Sequence, residues 1–175
     1  MKAIIIAAGS GKRISNNISG LPKALIQVND ISIISRQILL FKKNGIDEII
    51  VITGPFKEKF PMMDVTYVHD QKFEEHDMLG SLMEAREHIC GDVIIIYSDI
   101  IFEDSILKSI LQANSDIGIV VDLDWKIEYE NRKLHPISEA ENIFIGSRFF
   151  QNLLGHSKQV WDIKPPVKLH GLGRN

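Results

Sequence analysis

The sequence predicts a doubly wound α/β fold with a mostly parallel sheet, and two observations support this fold class. Short runs of isoleucine and valine alternate along the chain with segments in which apolar residues recur at helical spacing. Several of these runs are almost continuously apolar, which is typical of parallel strands covered on both faces. With 175 residues, 45% of them hydrophobic, the chain can bury such a sheet without disulfide bonds.

The strands and helices are predicted in alternating order. The five predicted strands are residues 2–8, 48–53, 65–68, 92–97 and 117–121, and Ala24 to Val28 is a candidate for an extra strand. The three predicted helices are the segment from Ile33 to Phe41 and residues 78–89 and 104–112. Asn44-Gly45 is the stop signal of the first helix, and Asp104 is the predicted N-cap of the third.

Residues 1–145 are predicted to form one domain, and residues 146–175 differ from it in character. From Gly146 to Asn175 there is no clear periodicity, and two phenylalanines, a tryptophan and a Pro-Pro pair mix with basic residues. This tail is expected to be either an irregular C-terminal arm that packs on the sheet or a divergent end that follows a truncation. Both alternatives stay open.

Composition and charge argue against several classes of function. The net charge of −3 argues against a nucleic-acid groove, and no apolar run approaches the ~20 residues of a membrane helix. We therefore expect no nucleic-acid partner and no membrane insertion. Cys90 is the only cysteine, which excludes an intramolecular disulfide and fits a reducing, cytoplasmic compartment. Four histidines show no zinc-ligand spacing and are expected to be structural or surface residues: His69, His76, His88 and His135.

A glycine-rich loop, Ala7-Ala8-Gly9-Ser10-Gly11-Lys12-Arg13, comes directly after the first predicted strand. Glycines allow backbone N–H groups to approach an anion closely, and the two basic residues add positive charge. The spacing excludes a dinucleotide fingerprint, which needs a third glycine where Ile14 stands. It also excludes a Walker loop, which needs a glycine at Ile6 and a Ser or Thr at Arg13. The alternative is a plain turn whose glycines only adopt positive φ.

A lysine and an aspartate elsewhere in the chain suit a phosphate site beside this loop. Lys23 follows a proline in Leu21-Pro22-Lys23-Ala24-Leu25, and Asp99 follows the predicted strand 92–97. Mg²⁺ commonly uses one or two protein carboxylates, with phosphates and water completing its shell, so Asp99 is a candidate metal ligand. Considered separately, Lys23 could be a solvated surface charge and Asp99 an ordinary cap or turn residue.

Together, Ala-Ala-Gly-x-Gly-x-Arg and Pro-Lys-Ala-Leu resemble the signature of nucleotidyltransferases of the sugar-phosphate and phosphocholine type. Four further segments resemble the phosphocholine cytidylyltransferase-like branch: residues 76–82, 97–100, 121–125 and 135–142. The resemblance covers about residues 1–142 and implies a Rossmann-like sheet of the nucleotidyltransferase type. One departure is Asp77, which stands where the family pattern has Asn, so the base contacts of this loop are left open.

The resemblance implies Mg²⁺-dependent transfer of a nucleoside monophosphate to a phosphorylated small molecule, with release of pyrophosphate. CTP is the expected nucleotide, and phosphocholine, a phosphonate or a sugar phosphate is the expected acceptor. The implied catalytic residues are Arg13 and Lys23, which neutralise phosphate charge in the transition state, and Asp99 is the implied metal ligand. The implied nucleotide-binding residues are Ala7, Ala8, Gly9, Ser10, Gly11, Lys12 and, where the family contacts the base, Ser81.

The acceptor side is less defined, and two alternatives to the main interpretation stay open. Trp125 and Tyr129 could face a quaternary ammonium group, because aromatic faces attract cations; ordinary packing at a domain edge is the alternative. One alternative function is a nucleotidyltransferase that uses another NTP, such as a sugar-1-phosphate enzyme. The other is a truncated, catalytically silent nucleotide-binding protein, because the family's second metal-binding carboxylate has no counterpart after Ile143. A homo-oligomer is also left open.

Overall fold

The computed structural model describes residues 1–9 and 20–121, and the backbone of residues 122 and 158–162. The strands are β1 (Lys2–Ala7), β2 (Gln27–Val28), β3 (Ile31–Ser32), β4 (Glu48–Thr53), β5 (Thr66–His69), β6 (Val93–Tyr97), β7 (Gly118–Asp122) and β8 (Lys158–Asp162). The helices are α1 (Ile33–Lys43), α2 (Met78–Met83) and α3 (Asp104–Gln112). No helix in this described part is both long enough and apolar enough to cross a membrane. The chain divides into two compact units, Met1–Phe102 and Glu103–Asn175.

The first unit is built on a parallel sheet with strand order β5-β4-β1-β6. From β1 the chain moves through β4 to β5 and then returns to the other side of β1 to form β6. This reversal is the topological switch of a doubly wound sheet, and it lies between β1 and β6. Ligands of such sheets bind outside the carboxyl ends of the strands at this point. The predicted α/β class with a parallel sheet is confirmed.

Apolar side chains cover both faces of this sheet. Ile4, Ile50 and Ile52 form one buried cluster with Ala85, and Leu82 of α2 packs against it. The connection from β1 to β4 and the connection from β5 to β6 run in opposite directions along the strand order. Because such connections are right-handed, they place α1 and α2 on opposite faces of the sheet. The buried apolar side chains of α1 are Ile33, Ile34, Ile38 and Phe41. The same pattern of apolar residues that predicts these elements from the sequence therefore forms the core.

Two local predictions in the first unit need correction. Within Ala24 to Val28 only β2 is a strand; it pairs with β3 across Asn29 and Asp30, which both have positive φ, the conformation of a tight hairpin turn. The predicted helix 78–89 ends early, at Met83, and a 3-10 turn follows at Arg86–His88. Ala85 leaves helical geometry (φ −100, ψ 19) and is fully buried, so packing on the sheet overrides the helical pattern.

The second unit contains α3 and an antiparallel pair of strands. Asp104 lies in the first turn of α3 and not at its N-cap, which is Glu103 and makes no side-chain capping bond. The predicted strand 117–121 is present as β7, and it pairs with β8 from Gly118↔Asp162 to Asp122↔Lys158. Strand β8 lies in the tail, where the sequence shows no clear periodicity, and it was therefore not predicted. The predicted domain boundary at residue 145 lies outside the described residues.

Candidate functional site

The carboxyl ends of the four parallel strands form one edge of the first unit. The residues that follow the strands at this edge are Ala8-Gly9 after β1, Gly54 after β4, Asp70 after β5 and Ser98-Asp99 after β6. Strand pairing extends one step into these loops, because Ser98 N donates to Ile6 O at 3.1 Å and Asp70 N donates to Thr53 O at 2.9 Å. The first residues of each loop therefore have fixed positions beside the switch point.

The start of the glycine-rich loop lies against the end of β4. A Cβ atom added to Gly54 would lie 2.1 Å from the carbonyl oxygen of Ala8, far inside any real contact. Only glycine allows the two backbones to approach this closely, so Gly54 determines where the loop leaves the sheet. This residue was not predicted from the sequence, although a Gly-Pro pair directly after a buried strand was a signal for it.

Lys23 and Asp99, both predicted site residues, form an ion pair at this edge. Lys23 Nζ lies 3.1 Å from Asp99 Oδ2, and the two side chains are 36% and 42% exposed. Pro22 (φ −54) begins a 3-10 turn at Lys23–Leu25, and the buried side chain of Ala24 anchors that turn. The fold thus joins a lysine and a carboxylate that lie 76 residues apart, and both remain open to solvent.

The turn that contains Asp99 is held by a buried glutamine of α1. Gln37 Nε2 donates to Tyr97 O at 2.9 Å and to Ile100 O at 2.8 Å, so it bridges the two sides of the turn. Gln37 is almost fully buried. Its role was not predicted from the sequence, although a lone glutamine in the apolar stripe of a helix indicates a buried hydrogen bond. We infer that Gln37 positions Asp99.

Several predicted site residues lie outside the described part of the chain: Ser10, Gly11, Lys12, Arg13, Trp125 and Tyr129. The described part of the chain resumes at Gly20. The carbonyl oxygen of Gly20 accepts a hydrogen bond from Lys59 Nζ, which also lies 4.6 Å from the centre of the Phe56 ring. The segment after β4 therefore contacts the chain three residues before Lys23.

Ser81, the predicted base contact, lies in α2 with its hydroxyl directed inward. Its Oγ donates to Asp70 Oδ2 at 2.8 Å, and both side chains are buried. Asp77, which replaces the Asn of the family pattern, is the N-cap of α2 and accepts from Gly80 N at 2.8 Å. The hydroxyl of Ser81 thus holds α2 to the end of β5 in this structure, and its contact with a base stays a prediction.

The chemistry of Asp99 fits a magnesium ion. Its carboxylate is a hard oxygen donor, it is partly exposed, and the neighbouring Lys23 shows that a positive charge can approach it. Mg²⁺ binds with one or two carboxylates and leaves its other positions to phosphates and water, so a single residue such as Asp99 is a sufficient protein contribution.

Comparisons with known proteins find cytidylyltransferases among the sequences that are similar to this chain. The choline-phosphate cytidylyltransferase of Streptococcus pneumoniae is 35% identical over 108 residues, which cover 59% of this chain and 47% of that protein. The CTP:phosphoglutamine cytidylyltransferase of Campylobacter jejuni is 27% identical over 154 residues, which cover 82% of this chain and 61% of that protein. The chain thus spans about half to three fifths of the length of these relatives.

Solved structures show the same fold. The CTP:phosphocholine cytidylyltransferase structure from Streptococcus pneumoniae superimposes with a TM-score of 0.55 at 35% identity, over 59% of this chain and 47% of that one. The inositol-1-phosphate CTP transferase of T. maritima, at 19% identity and a TM-score of 0.56 over 69% of this chain and 51% of that one, shares the fold. A family model, that of the MobA-like NTP transferase domain, matches residues 3–159. The start of a glycine-rich loop, a lysine and a carboxylate thus lie at the switch point of a parallel sheet, and the family model matches most of the chain. The chain belongs to the MobA-like NTP transferase domain family.

Proposed function

We propose that this chain is the nucleotide-binding part of a cytidylyltransferase that transfers CMP from CTP to a phosphorylated small molecule. The observation that supports this function best is the convergence at the switch point of the sheet. The glycine-rich loop begins there after β1, Asp99 follows β6, and Lys23 reaches Asp99 from a separate turn. The sequence relatives named as cytidylyltransferases of phosphocholine and phosphoglutamine support CTP as the nucleotide.

In the proposed reaction, an oxygen of the acceptor phosphate or phosphonate attacks the α-phosphorus of CTP. The bond from that phosphorus to the oxygen bridging to the β-phosphorus breaks, and pyrophosphate leaves with the electron pair. No covalent enzyme intermediate is needed. Catalysis then consists of positioning and charge stabilisation, as in other phosphoryl transfers.

Backbone and side-chain groups have different roles in this reaction. Ala7, Ala8, Gly9, Ser10 and Gly11 hold the triphosphate through their backbone N–H groups, and Lys12 adds positive charge. Arg13 and Lys23 stabilise the charge that develops on the phosphate oxygens during attack. Ser81 contributes to the part of the site that contacts the base.

The Lys23–Asp99 pair is suited to exchange its partners when the substrate binds. Exposed ion pairs contribute at most about 1 kcal/mol, so separating this one costs little. Lys23 is then free to contact a phosphate, and Asp99 to hold Mg²⁺. When bound, Mg²⁺ offsets the negative charge of the phosphate oxygens.

The acceptor and the cellular location are also proposals. We propose a phosphorylated acceptor with Trp125 and Tyr129 as its contacts, since aromatic faces attract a quaternary ammonium group. A cytoplasmic location fits the single cysteine, Cys90, which is exposed and free. A different nucleotide remains a second candidate, because a UTP–glucose-1-phosphate uridylyltransferase of Haloferax volcanii is 23% identical over 137 residues.

The first test is thermal unfolding of the full chain with CTP, UTP, ATP or GTP, each with and without Mg²⁺. A nucleotide at ~100 times its Kd adds about 2.7 kcal/mol, which raises the Tm of a chain of this size by roughly 5–10 °C. We expect this shift with CTP and Mg²⁺ together. Asp99→Asn should remove the dependence on Mg²⁺, whereas Asp30→Asn, on an exposed hairpin turn, is the matched control and should retain it.

The outcomes separate the candidates. A shift with CTP, followed by pyrophosphate release when phosphocholine or another acceptor is added, supports the proposed reaction. A shift with UTP alone supports the second candidate. A shift with CTP but no release with any acceptor favours a catalytically silent nucleotide-binding protein. No shift with any nucleotide contradicts the proposal.

A further inference from the structure

A second group of potential metal ligands lies beside β5, the outer strand on the other edge of the sheet from β6, at its carboxyl end. Asp70 follows β5, His76 lies just before α2, and Glu84 is the C-cap of α2. One ligand atom from each residue lies within 4.8 Å of the other two. His76 Nδ1 is 3.0 Å from Asp70 Oδ1 and 3.9 Å from Glu84 Oε1. The fold therefore joins one imidazole and two carboxylates around a common point.

We propose that Asp70, His76 and Glu84 bind a divalent transition-metal ion of the Zn²⁺ type. In a tetrahedral zinc site with bonds of about 2.0–2.1 Å, neighbouring ligand atoms are about 3.3–3.4 Å apart. The first two ligands need to separate by only a few tenths of an ångström from their present hydrogen-bond distance. Glu84, whose side chain is 40% exposed, needs to move closer and has the freedom to do so. A water molecule fills the fourth position.

The ligand that must be most rigid is already held in place. Asp70 is fully buried; Ser81 Oγ donates to its Oδ2 at 2.8 Å and Lys72 N donates to its Oδ1 at 2.9 Å. Such second hydrogen bonds orient metal-binding carboxylates. His76 is confined as well, because a Cβ atom on Gly80 would lie 2.9 Å from His76 Cβ and Cγ. A larger residue at position 80 would push the imidazole away from Asp70.

The charge balance of the group also favours a cation. Two carboxylates, one of them fully buried, have no lysine or arginine within ion-pair distance in the part of the chain that the structure describes, and only the imidazole of His76 lies between them. A buried carboxylate is costly unless a positive charge compensates it. An imidazole nitrogen among the ligands favours zinc-type ions over Mg²⁺, which prefers oxygen ligands only.

This site is separate from the proposed magnesium site and does not depend on the proposed function. Strands β5 and β6 are three strand spacings apart, so Asp70 and Asp99 follow strands about 14 Å from each other. A bound ion would cross-link the end of β5 to both ends of α2. It would thereby stabilise the segment 70–84, whether or not a nucleotide binds.

The test is binding of Co²⁺ and Zn²⁺ to the full chain after treatment with a chelator, in a Cys90→Ser background that removes the exposed thiol. We expect one equivalent of Co²⁺ to give the intense visible absorption of a four-coordinate site, and Zn²⁺ to displace it. Zn²⁺ at ~100 times its Kd should raise the Tm by roughly 5–10 °C without nucleotide. His76→Gln should abolish this absorption, and Ser81→Ala should weaken the affinity by about 10–100-fold.

The matched control is His88→Gln, because His88 also lies 3.9 Å from a glutamate oxygen but has no third ligand beside it among the residues that the structure describes. This variant should bind Co²⁺ as the parent does. Glu84→Gln tests the site without disturbing the buried residues, since Glu84 is partly exposed, and it should lose most of the affinity. The proposal is overturned if the parent binds no stoichiometric Co²⁺, or if His76→Gln and Glu84→Gln bind it unchanged. A failure of CTP to bind does not bear on this result.

Discussion

The close approach of Gly54 to Ala8 leads to a prediction whose size follows from the structure. In Gly54→Ala the new Cβ would lie 2.1 Å from the Ala8 carbonyl oxygen, and ordinary contact begins at 3.4 Å. The two backbones would therefore have to separate by about 1.3 Å. Ala8 and Gly54 directly follow the two central strands of the sheet, and the contact is between backbone atoms and the new Cβ. No flexible side chain can therefore absorb this displacement.

Two effects are expected from this separation. Overpacking of this kind typically costs about 1–3 kcal/mol of unfolding free energy, which for this chain is roughly 2–12 °C in Tm. The start of the glycine-rich loop moves by the same distance, and a shift of about 1 Å in a positioned group costs on the order of 100-fold in rate. For nucleotide binding we expect the Kd of CTP with Mg²⁺ to increase by about 10–100-fold, measured by isothermal titration calorimetry.

The control for this variant is Gly45→Ala. Gly45 has φ +77 and open space around its Cβ position, so alanine is strained there by about 1–2 kcal/mol without contact with the loop. Its Tm should fall by a similar amount while the Kd of CTP stays the same. If Gly54→Ala retains both the parent Tm and the parent Kd, Gly54 does not position the loop.

Three further substitutions test other parts of the site and the fold. Lys23→Ala should lower turnover by about 100-fold or more and reduce the free energy of unfolding by less than about 1 kcal/mol. The control Lys57→Ala, at an exposed position, should change neither quantity. Unchanged turnover in Lys23→Ala would exclude the catalytic role. Gln37→Leu removes the donor that bonds to two carbonyl groups, so it should lower the free energy of unfolding in urea by about 2–4 kcal/mol and weaken Mg²⁺-dependent CTP binding. The control Leu39→Ala, at an exposed position, should change the free energy of unfolding by no more than about 0.5 kcal/mol. A Gln37→Leu variant as stable as the parent would contradict the positioning role. Burial raises the pKa of the Tyr67 phenol, so the folded state favours the neutral form of this group. Its contribution to stability is complete below the unfolded pKa of about 10 and is lost as the pH rises through the higher folded pKa. Tyr67→Phe should therefore show a smaller loss of stability between pH 9 and 11, measured by denaturant unfolding, and an unchanged alkaline loss would count against this assignment.

Much of the site could be predicted because its parts have local signals. Lys23 follows a proline, Asp99 follows a buried strand, and the glycine-rich loop follows β1, and each of these features is visible within about ten residues. The parallel class then predicts that strand ends share one edge. The ion pair between Lys23 and Asp99 agrees with that expectation, while the catalytic role of Lys23 and the metal-binding role of Asp99 stay predictions.

Other features could not be predicted because they depend on contacts between distant segments. Gln37 and Gly54 have their importance only through Tyr97, Ile100 and Ala8, which belong to other strands and loops. The proposed metal site joins His76 to the carboxylates of Asp70 and Glu84, whose spacing along the sequence matches no metal motif. Side-chain periodicity cannot reveal such neighbours.

The sequence by itself determined the alternation of the main strands and helices, the parallel class and the start of a glycine-rich loop directly after β1, because hydrophobic periodicity and glycine placement act locally. The tertiary structure decided where α2 ends and which segment pairs with β7. It also decided which polar side chains meet at the strand ends. These features depend on burial and on hydrogen bonds between residues far apart in the chain, and the free energy of those contacts outweighs the local preferences of the residues that make them.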